Sequence, residues 1–131
     1  MKLLEEAAEM SMVNRFGRHL CEKHAHVIFR SSNEKCNIVE MNEILLQNIV
    51  ISSIRLARLH GFSRESDLLA FTVLRFVVAP NYHEQVPVLS VFGSDTIPVE
   101  RRIERLWRYI EDADWEKIAD AYDETAWHAI V

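Results

Sequence analysis

The chain has 131 residues, a formal net charge of −5 and a pI of about 5.7, with 49% apolar and 27% charged residues. This composition is typical of one ordinary globular domain and argues against disorder. The net negative charge provides no general attraction for phosphates, which argues against nucleic acid as a partner. Three Gly and three Pro are few for a fold with many turns, so they favour long helices.

Export and membrane insertion are both disfavoured. The first ten residues, MKLLEEAAEM, contain three glutamates where a secretory signal has an apolar centre. The most apolar stretch, Leu68 to Pro80, is 13 residues long and too short to cross a bilayer. Cys21 and Cys36 form no disulfide framework and suit a reducing compartment. The sequence therefore predicts a cytoplasmic protein.

The first half of the chain predicts two helices. Helix one is expected from about residue 2 to 26. Its broken apolar stripe consists of Leu4, Ala8, Val13, Phe16 and Leu20. Turn formers collect in RSSNEKCN, residues 30 to 37, which predicts the first connection. Helix two is expected from about residue 39 to 60, with Gly61 as the left-handed residue that ends it.

Helix three is expected over about residues 64–79. Ser63 is its predicted N-cap, and acidic residues in the first turn oppose the positive end of the helix dipole. The helix is apolar on nearly all sides, a pattern typical of a helix that other helices surround.

The C-terminal third predicts further helices. A short helix begins at Pro87, a longer one opens at Pro98, and Asp114 caps the last. The predicted fold is therefore an all-α, compact single domain over residues 1–131. It is a bundle of about five to six helices, with the helix at 64–79 buried at its centre.

Four potential metal ligands lie close together in the segment HLCEKHAH: His19, Cys21, His24 and His26. On a helix, only residues three or four positions apart share a face, so Cys21 and His24 converge but His26 points elsewhere. No second ligand pair follows at the spacing of a zinc site, and Cys36 stands alone. We therefore expect no metal and no other cofactor.

Catalytic patterns are also lacking in the sequence. It contains no glycine-rich phosphate loop and no HExxH motif. A cysteine–histidine dyad would need Cys21 or Cys36, and neither has a supporting flanking pattern. The sequence thus predicts a protein that is not an enzyme, with a small His/Cys-dependent enzyme as the alternative from another functional class.

The segment FVVAPNYHEQVP, residues 76 to 87, changes abruptly from apolar to polar. Its first proline ends helix three, which makes the segment the corner between two helices. The ring of Tyr82 is expected to pack on the core with its hydroxyl in water, as in many interface hot spots. The predicted partner-binding residues, secondary to the role of a corner, are Asn81, Tyr82, His83 and Glu84.

Three segments, MVNRFGRHL (12 to 20), ARLHGFSRESDLLAFTVLRFVVAPNYHEQVP (57 to 87) and IPVERRIERLW (97 to 107), carry a resemblance. In order and spacing they resemble a family of small all-helical accessory proteins encoded in bacterial type VI secretion clusters. The features shared are the Gly61-Phe62 turn, the apolar helix with its acidic first turn and polar corner, and the Arg102-Ile103 pair. The resemblance implies work by protein contact, without catalysis.

Two binding functions follow from this resemblance. The first is a co-adaptor or chaperone that binds a secreted effector, or the effector's adaptor, before secretion. The alternative is an immunity protein that neutralises a cognate toxin, for which a negative charge matches a basic cleft. In both cases the partner is a protein. Self-association through Trp107, Trp127 or the terminal Ile130-Val131 is left open.

Overall fold

Six α-helices and one β-hairpin form the chain between residues 2 and 128, the part that the computed structural model describes. The helices and strands are α1 Lys2–Lys23, β1 Ile28–Ser31, β2 Glu34–Asn37, α2 Glu43–Leu59, α3 Glu65–Val77, α4 Val86–Phe92, α5 Val99–Tyr109 and α6 Asp112–Asp120. Short 3₁₀ helices occupy Ile38–Glu40, Tyr82–Glu84 and Glu124–His128. The predicted all-α bundle is confirmed, with a small hairpin added.

The hairpin replaces the predicted connection at residues 30 to 37. In its antiparallel register Ile28 pairs with Asn37 and Ser31 with Glu34. Residues distant in sequence hold it in place, because the carbonyl of Arg30 accepts hydrogen bonds from the Tyr122 hydroxyl (2.7 Å) and from Nε1 of Trp127 (3.1 Å). Strands of four residues have too short a pattern to be recognised in the sequence.

Helix α1 ends at Lys23, three residues before the predicted end. Its predicted apolar stripe is only partly correct: Val13, Phe16 and Leu20 are buried, whereas Leu4 and Ala8 are exposed. The predicted periodicity fails at the start of α1, where these side chains face solvent.

Helix α2 packs along α1 and begins four residues later than predicted. Its start is set by Asn42, whose side-chain oxygen accepts the backbone N–H groups of Ile44 (2.9 Å) and Leu45 (3.1 Å). This is the normal action of an N-cap. At the other end Gly61 has a φ of 93°, which confirms the predicted left-handed residue.

Helix α3 packs against both α2 and α5, which confirms a buried central helix. It begins at Glu65 next to Arg64, so the predicted N-cap Ser63 lies one residue too early. Its buried face includes Leu68, Phe71 and Leu74, as an apolar helix requires. It also includes the polar residues Asp67, Thr72 and Arg75, and Arg75 connects several elements of the fold.

The last helices are close to their predicted positions, although Asp114 lies inside the first turn of α6 and Glu111 takes the capping position. Across residues 2 to 128, every helix falls short of the length or the apolar character required to span a bilayer.

Candidate functional site

Three of the four predicted partner-binding residues are interior. Asn81, Tyr82 and His83 are between 0% and 4% exposed, and only Glu84 is accessible. The Tyr82 hydroxyl, expected in water, instead donates to the carbonyl of Phe71 at 3.1 Å. That expectation is wrong, because the corner folds inward and a hydroxyl hydrogen-bonded to main chain needs no water. A partner can contact this corner at Glu84 but not at the three buried residues.

Asn81 joins the corner to the segment that follows α6. Its Nδ2 donates to the carbonyl of Ala121 (2.9 Å), and its Oδ1 accepts the backbone N–H of Asp123 (3.0 Å). These partners lie 40 and 42 positions later in the chain. Asn81 therefore stabilises the packing of the C-terminal segment, which a local sequence pattern does not reveal.

Arg75 of α3 is fully buried and ties together four parts of the fold. Its guanidinium donates to the Pro80 carbonyl (3.0 Å), the Ser53 hydroxyl (2.6 Å) and the Ala126 carbonyl (2.7 Å). Its Cζ also lies 5.1 Å from the centroid of the Trp127 ring. Burial lowers the pKa of Arg75 to about 10, so the side chain stays charged at neutral pH. Sequence reasoning missed this role.

The corner residue His83 pairs with His60, which follows α2 directly. Nε2 of His60 is 3.4 Å from Nδ1 of His83, and the aromatic rings of Phe71 and Phe92 surround them. Burial lowers the pKa of both histidines, and lowers that of His83 from 6.5 to about 4, with the charge of Arg75 adding to the shift. Both rings are therefore neutral at pH 7. The arrangement favours packing over acid–base chemistry at that pH.

This pair predicts a loss of stability in acid. The pKa of His83 is near 6.5 in the unfolded chain and about 4 in the folded chain. Below pH 6.5 the unfolded chain therefore takes up a proton that the folded chain does not. The free energy of unfolding is highest above pH 6.5 and decreases as the pH falls from 6.5 to about 4. The decrease from His83 is expected to be up to about 3 kcal/mol. Urea unfolding of wild type and His83→Gln at pH values between about 7 and 4 measures it.

The variant should show a shallower dependence of unfolding free energy on pH than wild type. A matched control is His26→Gln, since His26 is exposed. Equal pH slopes for wild type and His83→Gln would contradict the buried neutral histidine.

The histidines and cysteines considered as metal ligands are spread over α1 and the turn after it. The rings of His19 and His24 are 5.5 Å apart, His26 is exposed, and Cys21 faces a groove described next. Among residues 2 to 128 no three His, Cys, Asp or Glu side chains are grouped as a metal site needs. The second cysteine, Cys36, has a raised pKa, mainly because of burial, which disfavours a reactive thiolate.

An open groove of about 790 Å³ lies between α1 and the start of α2. On the α1 side it is lined by Asn14, Gly17 and Cys21, which follow one another at intervals of three and four positions and so share one face of the helix. The buried residues of its lining, Val13, Met41 and Leu46, are all apolar. The lining from the other side includes Val39 and Ile44, which are 53% and 67% exposed.

The groove owes its form to local sequence. The Asn42 cap places Ile44 in the first turn of α2, where its side chain stands at the rim. Gly17 on α1 has no side chain. A Cβ added there would lie 4.0 Å from Cδ2 of Leu46, which is an ordinary contact distance. Gly17 is therefore not required by close packing of the two helices, and its small size keeps the groove open. No local sequence pattern reveals this groove, because Gly17 and Ile44 belong to different helices.

The two tryptophans considered for self-association differ in exposure. Trp127 is buried, with its ring 4.8 Å from Phe76 and 5.2 Å from Phe29, so its ring is not accessible for self-association. Trp107 is exposed, and its ring lies 5.5 Å from that of Trp115. The terminal Ile130-Val131 lies outside the described residues.

Comparison of this chain with protein-family models, with curated proteins and with solved structures finds no match.

Proposed function

We propose that this chain is a non-catalytic accessory protein that binds a protein partner by receiving one of the partner's helices in the groove between α1 and α2. An amphipathic helix that lays its apolar face in a groove between two helices is a recurring mode of protein recognition. The lining of the groove combines buried apolar side chains with the charged residues Arg18 and Glu43, which suits a helix with one apolar face.

The observation that carries this proposal is the exposure of Val39 and Ile44 in the lining of a groove that also contains Gly17. Large apolar side chains that share a concave surface are typical of interaction sites, whereas single ones are common on any surface. The glycine in the same lining lets another helix approach α1 closely. Met10, four positions before Asn14, is also exposed and extends the same face of α1.

The partner class follows from the resemblance to accessory proteins of type VI secretion clusters. We propose that the partner is a secreted effector or the adaptor that loads it, and that the complex forms in the cytoplasm before secretion. Cys21 and Cys36 are both free thiols, which is compatible with a reducing compartment. The net charge of −5 additionally favours a partner with a basic surface around the docked helix.

Filling the groove at Gly17 tests this function. Gly17→Leu is expected to weaken binding by about 2 kcal/mol, or roughly 30-fold, because its side chain occupies the space of the partner helix. The same change should raise helix stability by up to about 1 kcal/mol, since Gly is a poor helix former. Calorimetric titration with the purified effector and adaptor encoded beside this chain, with melting curves alongside, measures both effects.

The matched control is Gly17→Ala, which brings the same gain in helix propensity but adds only a Cβ at ordinary contact distance. It should bind like wild type. If Gly17→Leu binds as tightly as Gly17→Ala, the groove is not the binding site. A complex that forms with the toxin and abolishes its activity would instead favour the immunity function.

A further inference from the structure

A second hollow, of about 490 Å³, lies between α4 and α5. On the α4 side it is lined by Ser90 and Val91, which lie three and four positions after Pro87, a third lining residue on the same side of the helix. On the α5 side it is lined by Arg105 and Tyr109, which lie four positions apart. We call this site the α4–α5 hollow. Its described lining has no residue in common with that of the groove between α1 and α2.

The loop between the two helices forms a further wall of the hollow, and Arg102 of α5 holds it in place. The guanidinium of Arg102 donates to the carbonyl of Ile97 through Nε (3.0 Å) and to that of Ser94 through Nη2 (3.0 Å). These bonds fix the stretch in which Ser94, Thr96 and Ile97 line the hollow. A wall that is fixed before a ligand arrives loses little conformational freedom on binding.

The polar side chains of the hollow provide hydrogen-bond donors. The Tyr109 hydroxyl accepts a bond from Nη1 of Arg105 (3.3 Å), so its own hydrogen and the other N–H groups of the guanidinium are available to a ligand. The hydroxyls of Ser94 and Thr96 lie 3.0 Å apart, and because one donates to the other, the second keeps its hydrogen for a ligand. The described lining includes no carboxylate, and Arg105 forms no ion pair within the described part of the chain. Its positive charge is therefore available to an anion.

The buried residues of this lining, Val91 and Ile110, are apolar, and Ile97 is half-buried. Small-molecule sites combine such apolar side chains with a few polar groups that fix the orientation of the ligand, typically in volumes of about 300–1,000 Å³. The single positive charge of Arg105 balances one carboxylate, whereas a phosphate monoester brings about 1.5 to 2 negative charges. The lining therefore suits an anion with one negative charge and an apolar body.

We propose that the α4–α5 hollow binds a small organic acid, a monocarboxylate with a short branched or aromatic apolar body. The carboxylate accepts hydrogen bonds from the Arg105 guanidinium and the Tyr109 hydroxyl, and the apolar body lies against Val91 and Ile110. An ionised carboxylate only accepts hydrogen bonds, which matches side chains that offer donors, and its bonds to a guanidinium are strengthened by charge. This ligand is additional to the partner helix proposed for the groove, and neither proposal depends on the other.

Phenylacetate is a suitable probe, and two-dimensional amide NMR of the whole chain follows its binding residue by residue. We expect the amide signals of Ser94, Thr96 and Arg105 to shift together, with a dissociation constant on the order of 1 mM for a ligand of this size. Phenylacetamide keeps the ring without the charge, and acetate keeps the charge without the ring. Each of these two compounds should bind at least about tenfold more weakly than phenylacetate.

Arg105→Gln tests the charged part of the site. It removes the cation and should weaken phenylacetate binding at least about tenfold. The matched control is Arg101→Gln, which changes the net charge equally at an exposed position four residues earlier on α5, outside the described lining. This control should bind phenylacetate like wild type, and both variants should keep the melting temperature.

Ser90→Phe tests the apolar part of the site. Ser90 is exposed, so the larger side chain should leave the fold intact, but it occupies space in the hollow and should reduce binding of phenylacetate at least about fivefold. Leu89→Phe is the control, because Leu89 is exposed on the same helix and lies outside the described lining.

Three results would overturn the proposal. The first is equal binding of phenylacetate by wild type and Arg105→Gln, and the second is equal binding of phenylacetate and phenylacetamide by wild type. The third is that the amide signals of Ser94, Thr96 and Arg105 stay unchanged at phenylacetate concentrations well above the expected dissociation constant. Inorganic phosphate should bind more weakly than phenylacetate, and tighter binding of phosphate would contradict the assignment of a carboxylate.

Discussion

Replacing Arg75 by Met is expected to lower the free energy of unfolding by about 3–5 kcal/mol. Methionine fills much of the volume but donates no hydrogen bond. The carbonyls of Pro80 and Ala126 and the hydroxyl of Ser53 then lose their buried donor. Urea unfolding measures the loss, and Arg55→Met is the matched control because Arg55 is exposed on α2.

Arg75→Lys separates charge from geometry. A lysine keeps the positive charge, but its single ammonium group does not reproduce the fork of a guanidinium that meets three acceptors in different directions. We expect this variant to lose most of the same stability. A loss below about 1 kcal/mol in both Arg75 variants would show that the buried hydrogen bonds of this arginine contribute little to stability.

Phe76→Ala is expected to cost about 3–5 kcal/mol, the usual range for a buried aromatic residue. The Phe76 ring lies 4.8 Å from that of Trp127 and 6.4 Å from that of Phe29. Its removal therefore leaves a cavity where α3, the hairpin and the C-terminal segment meet. The neighbour Val77 is exposed, so Val77→Ala should change stability by no more than about 0.5 kcal/mol.

Thermal or urea unfolding of Phe76→Ala and Val77→Ala checks this difference. Leu74→Ala, at another buried position of α3, should cost about 2–5 kcal/mol. If Phe76→Ala and Leu74→Ala were both as mild as Val77→Ala, α3 would not be the central helix of the folded protein.

The helices were predictable from the sequence because a helix repeats its apolar face every three or four residues. This periodicity predicted α2, α3 and α5 and the buried Val13, Phe16 and Leu20 of α1. Gly61 was predictable for the same local reason, since a left-handed residue after a helix is usually glycine. Each of these features depends on neighbours within about one or two turns of chain.

The candidate sites depended on tertiary structure. The corner residues Asn81, Tyr82 and His83 look like polar surface in the sequence, but they are buried. Their polar groups find partners in the segment after α6 for Asn81, in α3 for Tyr82 and in His60, just after α2, for His83. The groove was not predicted either, because its lining combines Gly17 of α1 with Ile44 of α2, two residues far apart in the sequence.

Arg75 and the hairpin show the physical reason most clearly. The charged Arg75 is stable in the core only because acceptors from three separate segments converge on it. One of these acceptors, the carbonyl of Ala126, lies 51 positions away in the chain. The hairpin is held by Trp127, which follows Arg30 by 97 positions. Local periodicity determined which segments become helices. Which polar groups are buried was decided by contacts between segments far apart in sequence, because a polar group is stable inside a protein only where the fold brings it a partner.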